Sequence, residues 1–156
     1  MVTIAAVMFI GGVIIEPRMF GGQFKTLIVC CIGMWVYIVL HELVHGIFMK
    51  GYSGIKPTYG YKVIYAYAGS TAFFCKNHYI IIAMAPVVIW GIVLGIMTPL
   101  VPKIWFWTVY FIQILNISGA AGDFYVTYLM SKMPEDILVQ DSGTDMRVYS
   151  KENIEI

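Results

Sequence analysis

Charge is what this sequence has least of. Only 12% of its 156 residues are Asp, Glu, Lys or Arg, and ten basic against nine acidic side chains leave a formal charge of +1. With no basic excess there is no electrostatic footprint for nucleic acid, so no nucleic-acid partner is expected. Cysteine is scarce too. Cys30, Cys31 and Cys75 match no CxxC spacing, and an odd count with two members in an apolar run excludes a disulfide framework. They read as small buried apolar residues. No basic residue precedes the first apolar run and no small-residue cleavage site follows it, which excludes a secretory-signal layout; the run is expected to stay as an anchor. Internal repeats and low-complexity tracts are also missing.

What stands in place of charge is apolar. The chain is 60% hydrophobic, with a mean hydropathy of +0.79, well beyond a soluble domain. It reads as an all-α polytopic membrane protein. A bilayer core of about 30 Å takes roughly 20 apolar residues of helix, and about four transmembrane helices are expected, over residues 1–16, 26–49, 79–102 and 104–130. The first run is short, so it is expected to tilt little, to thin the bilayer locally or to have lost an upstream portion. The second lies between Lys25 and Lys50 with Glu42 as its only charged residue. The third contains Pro86, which frees a helical carbonyl that a neighbour must satisfy, so a kink against another helix is expected. The fourth holds Asn116 and Asp123.

Residues 51–78 are rich in Gly, Tyr and β-branched side chains. Lys62, Ile64, Ala66 and Ala68 alternate with Val63, Tyr65 and Tyr67, a period of two that predicts a short interfacial β-hairpin with its tyrosines at headgroup level. After Met130 the chain turns polar, and 131–156 is expected to be a small soluble tail, one hairpin at most. The transmembrane domain is thus set at 1–130. Lys50, Lys56, Lys62, Lys76, Lys132, Arg147 and Lys151 would lie on one side of four spans, against Arg18, Lys25 and Lys103 on the other. The positive-inside rule then puts both termini, the 51–78 segment and the tail in the cytoplasm. The four tryptophans, Trp35, Trp90, Trp105 and Trp107, read as interface belt and lipid contact, and His78 as a headgroup-level residue.

Two of the three histidines fall in the apolar stretch "VLHELVHGIF", residues 39–48. On a helix each residue turns about 100°, so His41 and His45 project roughly 40° apart, one turn from each other, and both imidazoles can bind one tetrahedral ion. Zinc accepts His nitrogens at about 2.0–2.1 Å, and a catalytic site keeps three protein ligands plus a water whose pKa falls to about 7. Glu42 falls beside that face, where its carboxylate can take the proton from that water. Two histidines on one face cannot ligate opposite sides of a haem iron. Ionisable groups at membrane depth are costly and mark function by default.

A third ligand is required. Of nine carboxylates only Glu42 and Asp123 lie inside an expected span; Glu16 is at a boundary and six are in the tail. Glu42 is eight residues before Lys50 and Asp123 seven before Met130, which places them about 12 Å and about 10 to 11 Å from the same end of their helices. Ser118 to Gly122 are small residues that let helix backbones approach, as a short Asp side chain needs. Asn116 lies only about 20° off the face of Asp123. Two roles stay open for it: orienting a substrate carbonyl or the Asp, or an interhelical hydrogen bond.

An HExxH near the end of one span, an interfacial β segment, and a later span bearing Asn and Asp resemble the site-2 protease class of intramembrane zinc metalloproteases. "LHELVHGIFMKGYSGIKPTYGYKVIYAYAG", "YIIIAMAPVVIWG", "LNISGAAGDFYVTYLM" and "LVQDSGTDMRVY" resemble, in order, the blocks of a bacterial family of membrane zincin peptidases over roughly residues 26–149. The resemblance implies His41, His45 and Asp123 as zinc ligands, Glu42 as general base, a peptide or membrane-protein substrate, and a bacterial cytoplasmic membrane as location. The Asn116 to Asp123 interval departs from site-2 proteases in spacing and in lacking a proline, and family members carry a longer N-terminal part. The reading is a membrane-embedded metallopeptidase. Its rivals are a non-catalytic zinc scaffold or regulator and, less supported without a repeat, an ion transporter. His and carboxylate ligands also suit divalent metals other than zinc.

Overall fold

In hydrocarbon a backbone must satisfy its own polar groups, and the long apolar runs accordingly close into helices. A computed structural model describes residues 1–18, 24–62 and 65–150. Its elements run α1 (Val2–Ile15), α2 (Phe24–Ser53), β1 (Thr58–Lys62), β2 (Tyr65–Gly69), β3 (Phe73–Cys75), α3 (Lys76–Leu100), α4 (Lys103–Gly119), α5 (Ala121–Lys132), β4 (Ile137–Asp141) and β5 (Met146–Ser150). The chain is mostly helical with two small sheets, so the all-α expectation holds only for the helical part.

Among the described residues, three helices are long and apolar enough to cross a membrane: Phe24–Ser53, Lys76–Leu100, and Lys103–Lys132, the last taking in α4 and α5. The span expected over 1–16 is instead a helix of 14 residues, about 21 Å of rise against a core of about 30 Å. The run expected to be continuous over 104–130 turns at Ala120, with φ −76° and ψ 27°, inside the small-residue segment where Gly119 and Gly122 weaken helix propensity. α3 continues through Pro86.

The chain divides into two compact units. The first comprises residues 1–38 and 87–122. Its Trp107 is 0% exposed, not a belt residue. A buried indole needs an acceptor, and its Nε1 donates to the carbonyl of Glu16 at 2.9 Å, one of the groups left over where α1 ends. Tyr37, Leu94 and Val109 form a second buried cluster.

The second unit comprises residues 39–86 and 123–156. β1 and β2 pair antiparallel from Thr58↔Gly69 to Lys62↔Tyr65, and the turn positions Val63 and Ile64 lie outside the described residues. The expected hairpin is there, but it does not account for the whole insertion. β3 pairs with β4, Phe74 opposite Val139, and β4 pairs with β5. Residues 131–150 are therefore no appendage. Ile137 and Val139 alternate inward, and Val139, 0% exposed, joins Met49, Phe74, Tyr79, Ile82 and Met130 in one apolar core.

The β4–β5 turn also touches β2. Ser70 N–H donates to the Asp141 carbonyl at 2.7 Å, and Gly69 passes so close that a Cβ there would sit 2.1 Å from the Ser142 carbonyl oxygen. Gly143, at φ +84°, takes the left-handed conformation that closes the turn. Backbone cannot swing aside as a side chain can. Gly69→Ala should therefore lower the melting temperature in detergent by about 2 °C or more, the size of a loss of about 1 kcal/mol. Gly95→Ala in α3, where an added Cβ meets nothing within 4 Å, should leave it equal or higher.

Candidate metal centre

α2 runs unbroken through the quoted stretch, so His41 and His45 stand one turn apart on it. Their rings lie 5.0 Å centroid to centroid at 75°. Glu42, between them in sequence, shares the cluster: one ligand atom from each of His41, Glu42 and His45 falls within 4.8 Å of the others. Asp123 arrives from the first turn of α5, where unpaired helix N–H groups favour a carboxylate. Its Oδ2 lies 3.2 Å from His41 Nε2 and its Oδ1 3.5 Å from His45 Nε2. All four groups belong to the second unit.

Two carboxylates could complete a set with the imidazoles, and their surroundings differ. Glu42 is engaged by the backbone N–H of Ala68, which donates to its Oε2 at 2.8 Å. Asp123 faces both imidazoles. For ligand bonds of about 2.0–2.1 Å, the edge of a tetrahedron is about 3.3 Å. The separations of 3.2 and 3.5 Å, one to each carboxylate oxygen, lie close to that edge, so the residues present fit a cation held among them.

The hydrogen bonding of His45 strengthens the fit. His45 is 8% exposed, and its Nδ1 lies 2.9 Å from the Ile82 carbonyl. A carbonyl only accepts, so Nδ1 carries the hydrogen. In a neutral imidazole Nε2 is then bare, and a lone pair faces a carboxylate oxygen. Two acceptors face to face call for a cation between them.

Asn116 belongs to the first unit, is 0% exposed, and is fully engaged there. Its Oδ1 accepts from Tyr37 Oη at 2.7 Å and its Nδ2 donates to the Val87 carbonyl at 3.1 Å. His78 stacks on Tyr52, centroids 4.0 Å apart. The cysteines are free, Cys30 buried and Cys31 exposed. Sequence reasoning missed Ala68 and Ile82, whose contributions are backbone groups with no side-chain signature. It also missed Asp141, which accepts from Gly143 N–H at 2.8 Å and from the Tyr79 hydroxyl, and so secures the turn beside β2.

A family described as "Putative zincin peptidase" matches residues 34–138. The chain belongs to that family. The matched stretch holds the zincin HExxH residues, Asp123 and the strands β1 to β3, and membership implies zinc as the ion. An "Uncharacterized 24.7 kDa protein in gap 5'region" of Pyrococcus woesei is 32% identical over 115 residues, 70% of this chain and 50% of that protein. The chain thus spans about half the length of this relative. No solved structure matches it.

If this zincin's donor set is as drawn, His41→Ala, His45→Ala and Asp123→Ala should each weaken zinc binding by more than about 100-fold, beyond what loss of an outer partner does. Glu42→Gln should keep one zinc per chain. Metal content of the purified proteins, with titration against a competing chelator, checks both.

Proposed function

We propose that the protein is a membrane-embedded zinc metallopeptidase of site-2 type, hydrolysing a peptide bond within or beside a membrane segment. The observation that carries the reading is the Asp123 carboxylate facing Nε2 of both His41 and His45, with Glu42 alongside on the same helix. In the proposal His41, His45 and Asp123 hold the ion and Glu42 is the general base. Bound there, zinc supplies Lewis acidity to the scissile carbonyl and acidity to a water molecule. Glu42 takes the proton of the attacking water and hands it to the departing amine. The Ala68 N–H, donating at 2.8 Å, fixes where that carboxylate points.

The same bond orients β2. Since Ala68 N–H points to Glu42, it points away from β1, and Ala66, two residues earlier, presents its backbone to the same side. An extended peptide added along that edge would pass Glu42, which supports β-addition as the way substrate is held. A helical substrate must unwind locally to be cut there. Asn116, with both polar atoms engaged in its own unit, is better read as an interhelical bond than as a substrate contact.

The partners in this reading are the lipid bilayer and a peptide or membrane-protein substrate. The location is a bacterial cytoplasmic membrane, with the 51–78 segment and the C-terminal strands cytoplasmic, since most of the basic residues lie on that side. In detergent or nanodiscs, Glu42→Gln should lower kcat on a transmembrane peptide by about 10²- to 10⁴-fold while zinc is retained. Chelation should abolish cleavage and zinc should restore it. Cleavage by Glu42→Gln at the parent rate would sink the mechanism; full zinc loading of the parent with no cleavage would favour a zinc-binding scaffold.

A further inference from the structure

We propose that Pro86 is a positioning residue of the metal centre. By withholding an N–H from the Ile82 carbonyl, it reserves that carbonyl for His45 Nδ1 and so fixes the imidazole with Nε2 bare toward the ion.

In an α-helix the carbonyl of residue i accepts the N–H of residue i+4. α3 spans Lys76–Leu100 without a break, and the partner position for Ile82 is occupied by Pro86, which has no N–H. Ile82 is 1% exposed and Pro86 is among the fully buried side chains. Water is therefore not at hand for the freed carbonyl, and a buried unpaired acceptor is costly. His45 meets that need at 2.9 Å. The proline ring also crowds the carbonyl four residues back, which disfavours its alignment along the helix. Ile82, Pro86 and His45 belong to the same unit, so the whole device lies within one body.

Two needs are met by one bond. The helix recovers a partner for the carbonyl that its proline stranded, and the imidazole loses its choice of tautomer. Proline inside a helix is otherwise unfavourable. With an N–H at residue 86 the carbonyl would be drawn back along the helix, and His45 would no longer be the partner it needs. Loss of such an outer hydrogen bond to a metal-binding histidine weakens metal affinity by about 10- to 100-fold.

The proposal rests on His45 as a zinc ligand, and its readout is zinc affinity, not cleavage. Two replacements separate the missing N–H from the ring: Pro86→Ala, which supplies an N–H, and Pro86→lactic acid, which removes the ring but places an ester oxygen where the N–H would be. The full chain in detergent should show a zinc dissociation constant raised about 10- to 100-fold for Pro86→Ala and within about threefold of the parent for the ester. Because alanine suits a helix interior better than proline, the metal-free Pro86→Ala protein should melt at or above the parent temperature. Weaker zinc binding in a protein at least as stable is what a merely structural proline would not give.

Equal weakening by both replacements would overturn the proposal by assigning the effect to the ring, and a lowered metal-free melting temperature in Pro86→Ala would do so by assigning it to packing. Unchanged affinity in Pro86→Ala, beside lost affinity in His45→Ala, would overturn the role of Pro86 alone. A parent that binds zinc and cleaves nothing would sink the peptidase reading and leave this inference standing.

Discussion

The carboxylate of Asp123 stands 3.2 and 3.5 Å from Nε2 of His41 and His45, on helices whose other side chains are overwhelmingly apolar. Burying ionisable groups among apolar side chains costs several kcal/mol unless they answer one another's charge. The rest of the second unit can be understood from that constraint. α2 must stay helical through His41 and His45 so that both rings share a face. α5 restarts at Ala121, so that Asp123 falls in the first turn of a new helix, where the N–H groups favour a carboxylate.

Around these groups the structure sets backbone atoms in place of further side chains. Ala68 N–H holds Glu42 and the Ile82 carbonyl holds His45. Backbone groups on regular elements are rigid, lack rotamer freedom and cannot titrate, so they aim a side chain at little entropic cost. Their aim depends in turn on strand pairing. Ser70 bonds to Asp141, the same Asp141 accepts from the Tyr79 hydroxyl, and Gly69 packs on the backbone of Ser142. The C-terminal strands thereby help determine where β2 lies, and β2 determines where Glu42 points.

How much of this was legible in the sequence follows from which interactions are local. HELVH could be read because helical spacing alone puts two imidazoles on one face. Asp123 could be reached by elimination, since an apolar chain leaves few carboxylates at depth to choose from. Three of the apolar runs could be placed because their length matches a bilayer. The first could not, because 14 residues of helix fall short, and hydropathy says nothing about the break at Ala120. The pairing of β3 with β4 was hidden because it joins segments some sixty residues apart, and local alternation names a strand without naming its partner. Trp107 was misjudged because an indole suits a lipid interface and a buried niche with an acceptor equally well. Only the leftover carbonyl at the end of α1 decides between them.

The contrast between Asn116 and the metal centre shows how a structural polar group differs from one with further chemistry to do. Asn116 carries an acceptor and a donor. It meets a phenol hydroxyl with the first and a carbonyl with the second, so every polar atom finds its complement within the chain. At the centre in the other unit the Nδ1 hydrogen of His45 is committed to Ile82, so in the neutral imidazole the remaining nitrogen presents a lone pair to an oxygen that also presents one. A cation, whether a proton or a metal ion, relieves that pairing of like with like. Polar groups left non-complementary by a chain that elsewhere matches donors to acceptors are where function is expected to lie.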